Sequence, residues 1–198
     1  MPGPPREILL LHGVEYHEPP GHWLHRLAER LRAQGERVSY PQLPEPDEPA
    51  LEHWLEALAG ELAALGGGER VIVCHSLSCM LWLHHCNRAT PDQRVDRVLL
   101  VAPPSPSIFW PAVRSFLPPA LEPAPLAAAA RSGTRLVCSD NDQYCPEGAK
   151  ALFGDPLELD IDLIPGGGHL SEADGYGLWP SMTAWCIDAS VRLSANAT

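Results

Sequence analysis

Three segments of the chain carry side chains able to do acyl-transfer chemistry, in the order nucleophile, acid, base. The first is Cys74-His75-Ser76-Leu77-Ser78, set between the apolar run Arg70–Val73 and the helix-like stretch Cys79–Leu83. A serine on a sharp strand-to-helix turn holds its hydroxyl above the sheet at a helix N-terminus, the arrangement known as a nucleophile elbow. The usual spelling is G-x-S-x-G, because small flanking residues let the turn close. Here Cys74 and Ser78 occupy those positions, so the match is to context more than to letters. The competing reading is a serine that caps the following helix.

A serine nucleophile needs a base to take its proton and an acid to orient that base. After the apolar run Leu136–Ser139 comes Asp140-Asn141-Asp142-Gln143-Tyr144, and after the run ending at Ile164 comes Pro165-Gly166-Gly167-Gly168-His169. Both follow a strand's C-terminal end, where parallel sheets carry functional groups. Asp140 and Asp142 compete for the orienting role, and spacing does not choose between them. An oxyanion needs N–H donors as well. Leu77, after the nucleophile, offers one, and Val14, after His12-Gly13, offers the second. His12 reads as a loop-ordering residue, His75 as pointing away from Ser76 across the tight turn. His22, His25, His84 and His85 lie on expected helices, too scattered for a metal site, so no metal and no cofactor is expected.

These loops require a scaffold that brings strand ends together. Short Leu/Ile/Val-rich runs at Ile8–Leu11, Arg70–Cys74, Val95–Ala102, Thr134–Ser139 and Leu157–Ile164, with a weaker one at Arg37–Tyr40, predict strands buried on both faces. Amphipathic stretches at His22–Ala33, Ala50–Leu65, Leu77–Asn87, Glu147–Phe153 and Trp179–Leu193 predict helices between them. The alternation implies βαβ units and a parallel sheet covered by helices in a single α/β domain spanning residues 1–198. Residues 103–125 break the rhythm with eight prolines and Phe109, Trp110 and Phe116. This proline-rich excursion reads equally as a packed connector or as a pocket wall. Ala127–Ala130 predicts a short helix and 194–198 a frayed tail.

The formal charge of −11 comes with 14 basic residues that form no cluster, which argues against nucleic acid and anionic membrane as partners. No apolar run has the length of a signal-peptide core or a membrane span, so a cytoplasmic setting is expected. The six cysteines lack the close pairs of zinc or thioredoxin-like sites and read as buried free thiols, with a Cys138–Cys145 disulfide as the alternative.

The residues resemble a known family, the small serine hydrolases related to YdeN and to retinoblastoma-binding protein 9, within the α/β-hydrolase superfamily. The likeness runs through His12-Gly13, Gly21-His22-Trp23-Leu24, Tyr40–Asp47, Leu51-Glu52-His53-Trp54, His75-Ser76-Leu77, Leu100–Pro103, Ser139–Cys145, Gly168-His169 and Gly175–Pro180. The family's Asp-Pro-Tyr-like step maps onto Asp142-Gln143-Tyr144, which selects Asp142 as the acid, and its base after glycine maps onto His169. Gln143 in place of proline is a second departure beside the altered elbow. The resemblance implies a compact α/β-hydrolase of about six parallel strands in the order 2-1-3-4-5-6, without a large lid. The expectation is therefore a serine hydrolase cleaving small or medium acyl esters with Ser76, Asp142 and His169, and with Phe109, Trp110, Phe116 and Trp179 as pocket-wall candidates. Rival expectations are a thioesterase or amidase with the same residues, or a hydrolase-fold module that binds a protein partner.

Overall fold

The computed structural model describes residues 5–196. Six parallel strands, β1 (Glu7–Leu11), β2 (Arg37–Ser39), β3 (Arg70–His75), β4 (Arg97–Val101), β5 (Thr134–Ser139) and β6 (Asp160–Ile164), form one sheet in the order β2-β1-β3-β4-β5-β6. Four α-helices connect successive strands from β1 to β5, α1 (Trp23–Ala33), α2 (Leu51–Ala64), α3 (Leu77–Cys86) and α4 (Pro123–Ala129), and a fifth, α5 (Pro180–Ile187), follows β6. β1 and β4 each pair in register with β3, so Leu11, Cys74 and the loops that follow them come to the same sheet edge. The expected parallel α/β-hydrolase topology is the one observed.

Strand side chains alternate between two apolar layers, as the period of two requires. Leu9, Leu11, Ile72, Cys74, Leu100 and Leu136 face the layer built with α2, α3 and α4. Ile8, Leu10, Val71, Val73, Leu99 and Val137 face the layer built with α1 and α5. All six cysteines are buried free thiols. Among the described residues no helix is long and apolar enough to cross a membrane.

Several expected elements differ in extent, each for a local reason. Buried-on-both-faces does not hold for β2 and β6, which are sheet edges with exposed Arg37 and Asp160. The strand expected from Leu157 starts only at Asp160, because the Leu157 N–H closes a turn onto the Phe153 carbonyl at 3.1 Å. Val95 makes only an isolated bridge to Ala130, and Ala102, at φ 49°, ends β4. The stretch 147–153 yields a single π-helical turn, Lys150–Gly154. The last helix stops at Ile187 rather than reaching Leu193, since Asp188 is extended and its carboxylate accepts the Ser190 N–H at 2.9 Å. The chain then follows the sheet edge, where Arg135 donates to the Val191 carbonyl and the Leu193 N–H to Asp162. The tail is correspondingly tied down: Trp179 Nε1 donates to the Ser194 carbonyl at 2.8 Å and Asn196 to that of Gly175 at 3.1 Å. Ala197 and Thr198, the last two residues of the expected frayed tail, lie outside the described residues.

Candidate active site

Ser76 sits at the junction of β3 and α3 with φ 57° and ψ −121°, a conformation that L-residues rarely adopt and that strand-to-helix elbows impose. Its strain is held by bonds on each side: the Ser76 N–H donates to the Val101 carbonyl and its carbonyl accepts the Cys79 N–H, both at 2.9 Å. The departures from G-x-S-x-G are absorbed without distortion. Ser78 is fully buried, accepts the His75 N–H at 2.9 Å, and its hydroxyl lies 2.9 Å from the carbonyls of both Leu11 and His75. A glycine there would make none of these bonds, so Ser78 stitches the elbow to the end of β1. Cys74 packs into the apolar layer and its carbonyl takes a weak bond from Cys79 Sγ.

His169 and Asp142 converge on that serine. The Ser76 hydroxyl lies 2.9 Å from His169 Nε2, and His169 Nδ1 lies 2.8 and 3.0 Å from the two Asp142 oxygens. A carboxylate can only accept, so Nδ1 carries the proton and Nε2 is free to accept from the serine. All three groups are at least nine-tenths buried, and the Tyr144 N–H adds a 2.9 Å bond to Asp142. Asp140 does not reach the histidine. It accepts the Gly166 N–H, Asn141 accepts the Gly168 N–H, each at 2.7 Å, and together they clamp the glycine loop that delivers His169.

The loop after β1 presents the donor side. Gly13 lies so close that a Cβ there would stand 2.9 Å from the Ser76 Cβ, which is why only glycine fits. Val14 and Leu77 both line the cavity at Ser76, and neither N–H has a backbone acceptor among the described residues. His12 orders this loop: its Nδ1–H donates to the Gly13 carbonyl at 2.7 Å and its Nε2 accepts the Leu43 N–H at 2.8 Å. Burial lowers its pKa to about 4 and keeps it neutral. His22 caps α1, accepting the Leu24 N–H at 3.1 Å, and burial lowers it likewise to about 4.

The cavity over Ser76 has a volume of about 260 Å³ and is lined in part by Ile108, Trp110 and Val113 of the proline-rich excursion. The excursion is thus connector and wall at once. Of the four aromatic candidates only Trp110 lines this cavity. Phe109 points into solvent at 94 % exposure, Phe116 is fully buried against Trp54 in the core, and Trp179 packs edge-on against Trp23 on the α1/α5 side. Adjacent residues of irregular chain face different ways, which composition does not reveal.

The family profile described as "Serine hydrolase" matches residues 8–186. The chain belongs to the serine hydrolase family. It is 22% identical to YdeN of Bacillus subtilis (strain 168), named as a hydrolase, over 88% of this chain and 91% of that one. The crystal structure of the B. subtilis ydeN product superimposes with a TM-score of 0.78, covering 92% of this chain and 97% of the other at 22% identity. A YdeN-like hydrolase of Pectobacterium atrosepticum gives 0.72 at 17% identity, covering 91% and 88%. The thioesterase domain of the curacin biosynthetic pathway gives 0.64 at 14% identity, covering 92% and 91%.

Within this serine hydrolase, sequence reasoning missed the residues that seat the histidine loop. Asp174 accepts the His169 N–H at 3.0 Å and the Ser171 hydroxyl at 2.7 Å, and its carboxylate occupies the space a side chain at Gly168 would need. Ser139, at the end of β5, donates to the Gly168 carbonyl. His75 is part of the same seat: its ring lies 5.1 Å from that of His169, its Nε2–H donates to the His169 carbonyl at 3.1 Å, and it is among the residues that line the cavity. Burial holds its pKa well below the ordinary value, so it is a neutral donor. The capping pattern Ser171-x-x-Asp174 is the sequence signal from which this turn could have been read.

Proposed function

We propose that this serine hydrolase cleaves carboxylic esters through an acyl-enzyme, with Ser76 as nucleophile, His169 as base and Asp142 as orienting acid. The observation that carries the reading is the unbroken chain Ser76 Oγ to His169 Nε2 at 2.9 Å and His169 Nδ1 to Asp142 at 2.8 Å. As Ser76 Oγ bonds to the ester carbonyl carbon, its proton passes to His169 Nε2, and the carbonyl oxygen becomes an oxyanion. The Val14 and Leu77 N–H groups, unpaired by backbone and fixed by Gly13 and the start of α3, are positioned to hold that charge without reorganising. Collapse breaks the bond to the leaving oxygen, which takes the proton from Nε2. Water then repeats the sequence on the acyl-enzyme and releases the acid. Asp142 fixes the tautomer and stabilises the transient imidazolium.

The cavity volume of about 260 Å³ suits a small or medium acyl group. Thioesters would meet the same residues, and the likeness to a thioesterase domain concerns the fold alone. Turnover of p-nitrophenyl acetate and butyrate, of an acetyl thioester and of an acetanilide by the wild type and Ser76→Ala tests the reading. Ester hydrolysis that exceeds amide hydrolysis and disappears in Ser76→Ala is expected. Ester turnover that survives in the variant would refute it.

A further inference from the structure

Resting on the esterase reading, we infer that the leaving-group side of the site runs on into a second apolar groove, so that the preferred substrates are esters of an apolar alkyl alcohol. The departing oxygen must collect its proton from His169 Nε2, which puts the alcohol portion on the His169 side of the cavity. That side is aromatic: the Tyr144 ring stands edge-on to His169 at 4.5 Å, and Trp110 is stacked beyond it at 6.1 Å. Trp110 and Ile108 line the catalytic cavity and also a second cavity of about 330 Å³, whose further walls include Pro106, Phe109, Pro111 and Leu117. The two spaces therefore share Ile108 and Trp110 as a common wall, and on this inference a chain leaving His169 passes over Trp110 into the outer one.

Phe109 gives the groove its purpose. A single exposed apolar side chain is common on protein surfaces, but this phenyl ring, at 94 % exposure, lines the outer cavity whose wall of Ile108 and Trp110 is shared with the cavity over Ser76. The segment that carries this wall is preformed. The Ser105 N–H donates to the Tyr144 carbonyl at 2.8 Å, and His84 Nε2–H to the Phe116 carbonyl at 3.0 Å, so the segment is anchored at each end with prolines between. An alkyl chain can lie there without first ordering the protein. No lysine or arginine lines the catalytic cavity, while Glu15 stands in its wall, so an anionic alcohol portion finds no counter-charge there. Arg114 is the one charged residue of the outer groove.

The test compares butyl and octyl acetate, which share an acyl group, in two ways: calorimetric binding to Ser76→Ala and kcat/KM with the wild type. Each buried methylene is worth at most about fourfold, and partial cover of four of them predicts octyl favoured over butyl by about tenfold, carried in KM. Phe109→Ser, at a surface position where folding is not at stake, lowers the octyl/butyl ratio to about twofold or threefold, and Trp110→Ala lowers it further. A flat ratio, or one indifferent to Phe109→Ser, overturns the inference. Octyl-selective binding to Ser76→Ala without turnover by the wild type would leave the groove standing and refute the esterase reading instead. Butyl acetate turnover with no chain-length gain would refute the groove alone. A flat ratio together with self-association lost in Phe109→Ser by sedimentation would make this face a contact between copies, which also overturns the inference.

Discussion

Lowering the pH from 7 to 5 should remove several kcal/mol of stability, because His12, His22 and His85 are buried in their neutral form. Burial takes each from an ordinary value of 6.5 down to about 4. These are depressed histidine pKa values, so between pH 6.5 and 4 the unfolded chain binds protons that the native state refuses. The contribution of these three then falls as pH falls through that window and levels off below it, while His75, held lower still by burial, adds a loss in the same direction. With 1.36 kcal/mol per unit, each site loses about 2 kcal/mol between pH 7 and pH 5. Three sites together lose about 6 kcal/mol, a large share of the roughly 5–15 kcal/mol that holds a domain of this kind. His85 isolates the effect. It lies on α3 away from Ser76, and its buried Nε2 has no partner among the described residues. Urea unfolding at pH 7 and pH 5 of the wild type and His85→Met measures it directly. The variant should lose about 2 kcal/mol less than the wild type over that interval. Equal losses in the two proteins would refute the assignment of the acid sensitivity to buried neutral histidines.

Other outcomes follow from single contacts. Gly13→Ala places a methyl 2.9 Å from the Ser76 Cβ, closer than two non-bonded carbons can approach, so the elbow must shift; kcat should fall about 100-fold and stability by about 1–3 kcal/mol; an unchanged kcat would contradict the role of that approach. Asp142→Asn should lower kcat by about 10⁴, whereas Asp140→Asn, which touches only the Gly166 N–H, should retain most activity; steady-state kinetics of the pair decides which aspartate acts. Arg97 is 2 % exposed, donates to the Trp185 and Cys186 carbonyls and stacks 4.6 Å over Trp185, so Arg97→Ala leaves buried carbonyls unpaired and should destabilise by about 2–4 kcal/mol in denaturant titration.

Much of this was legible because strong local signals coincided. The continuous apolar runs of β1, β3, β4 and β5 reported strands buried on both faces, and the punctuation around Ser76, Asp142 and His169 placed each at a strand end. What stayed hidden depended on how surfaces meet. Hydrogen bonds to neighbouring chain ended α5 at Ile187 and tied down Ser194, and neither leaves a periodic trace. Spacing alone did not separate Asp140 from Asp142, since both sit in one loop, and only the facing His169 and Gly166 give them different tasks. Ser78 reads as a defect in a motif until the Leu11 carbonyl and His75 N–H beside it are seen. Phe109 and Trp110 are neighbours of like chemistry, one in solvent and one against the cavity, and irregular backbone alone decides which.

The most direct test of the account is to treat the protein with a fluorophosphonate and locate the adduct by peptide mass spectrometry, with His169→Ala in parallel. Stoichiometric phosphonylation of Ser76 that collapses in the variant is the expected result. No adduct at Ser76, or equal labelling without His169, would contradict the claim that these residues act together as a nucleophile and its base.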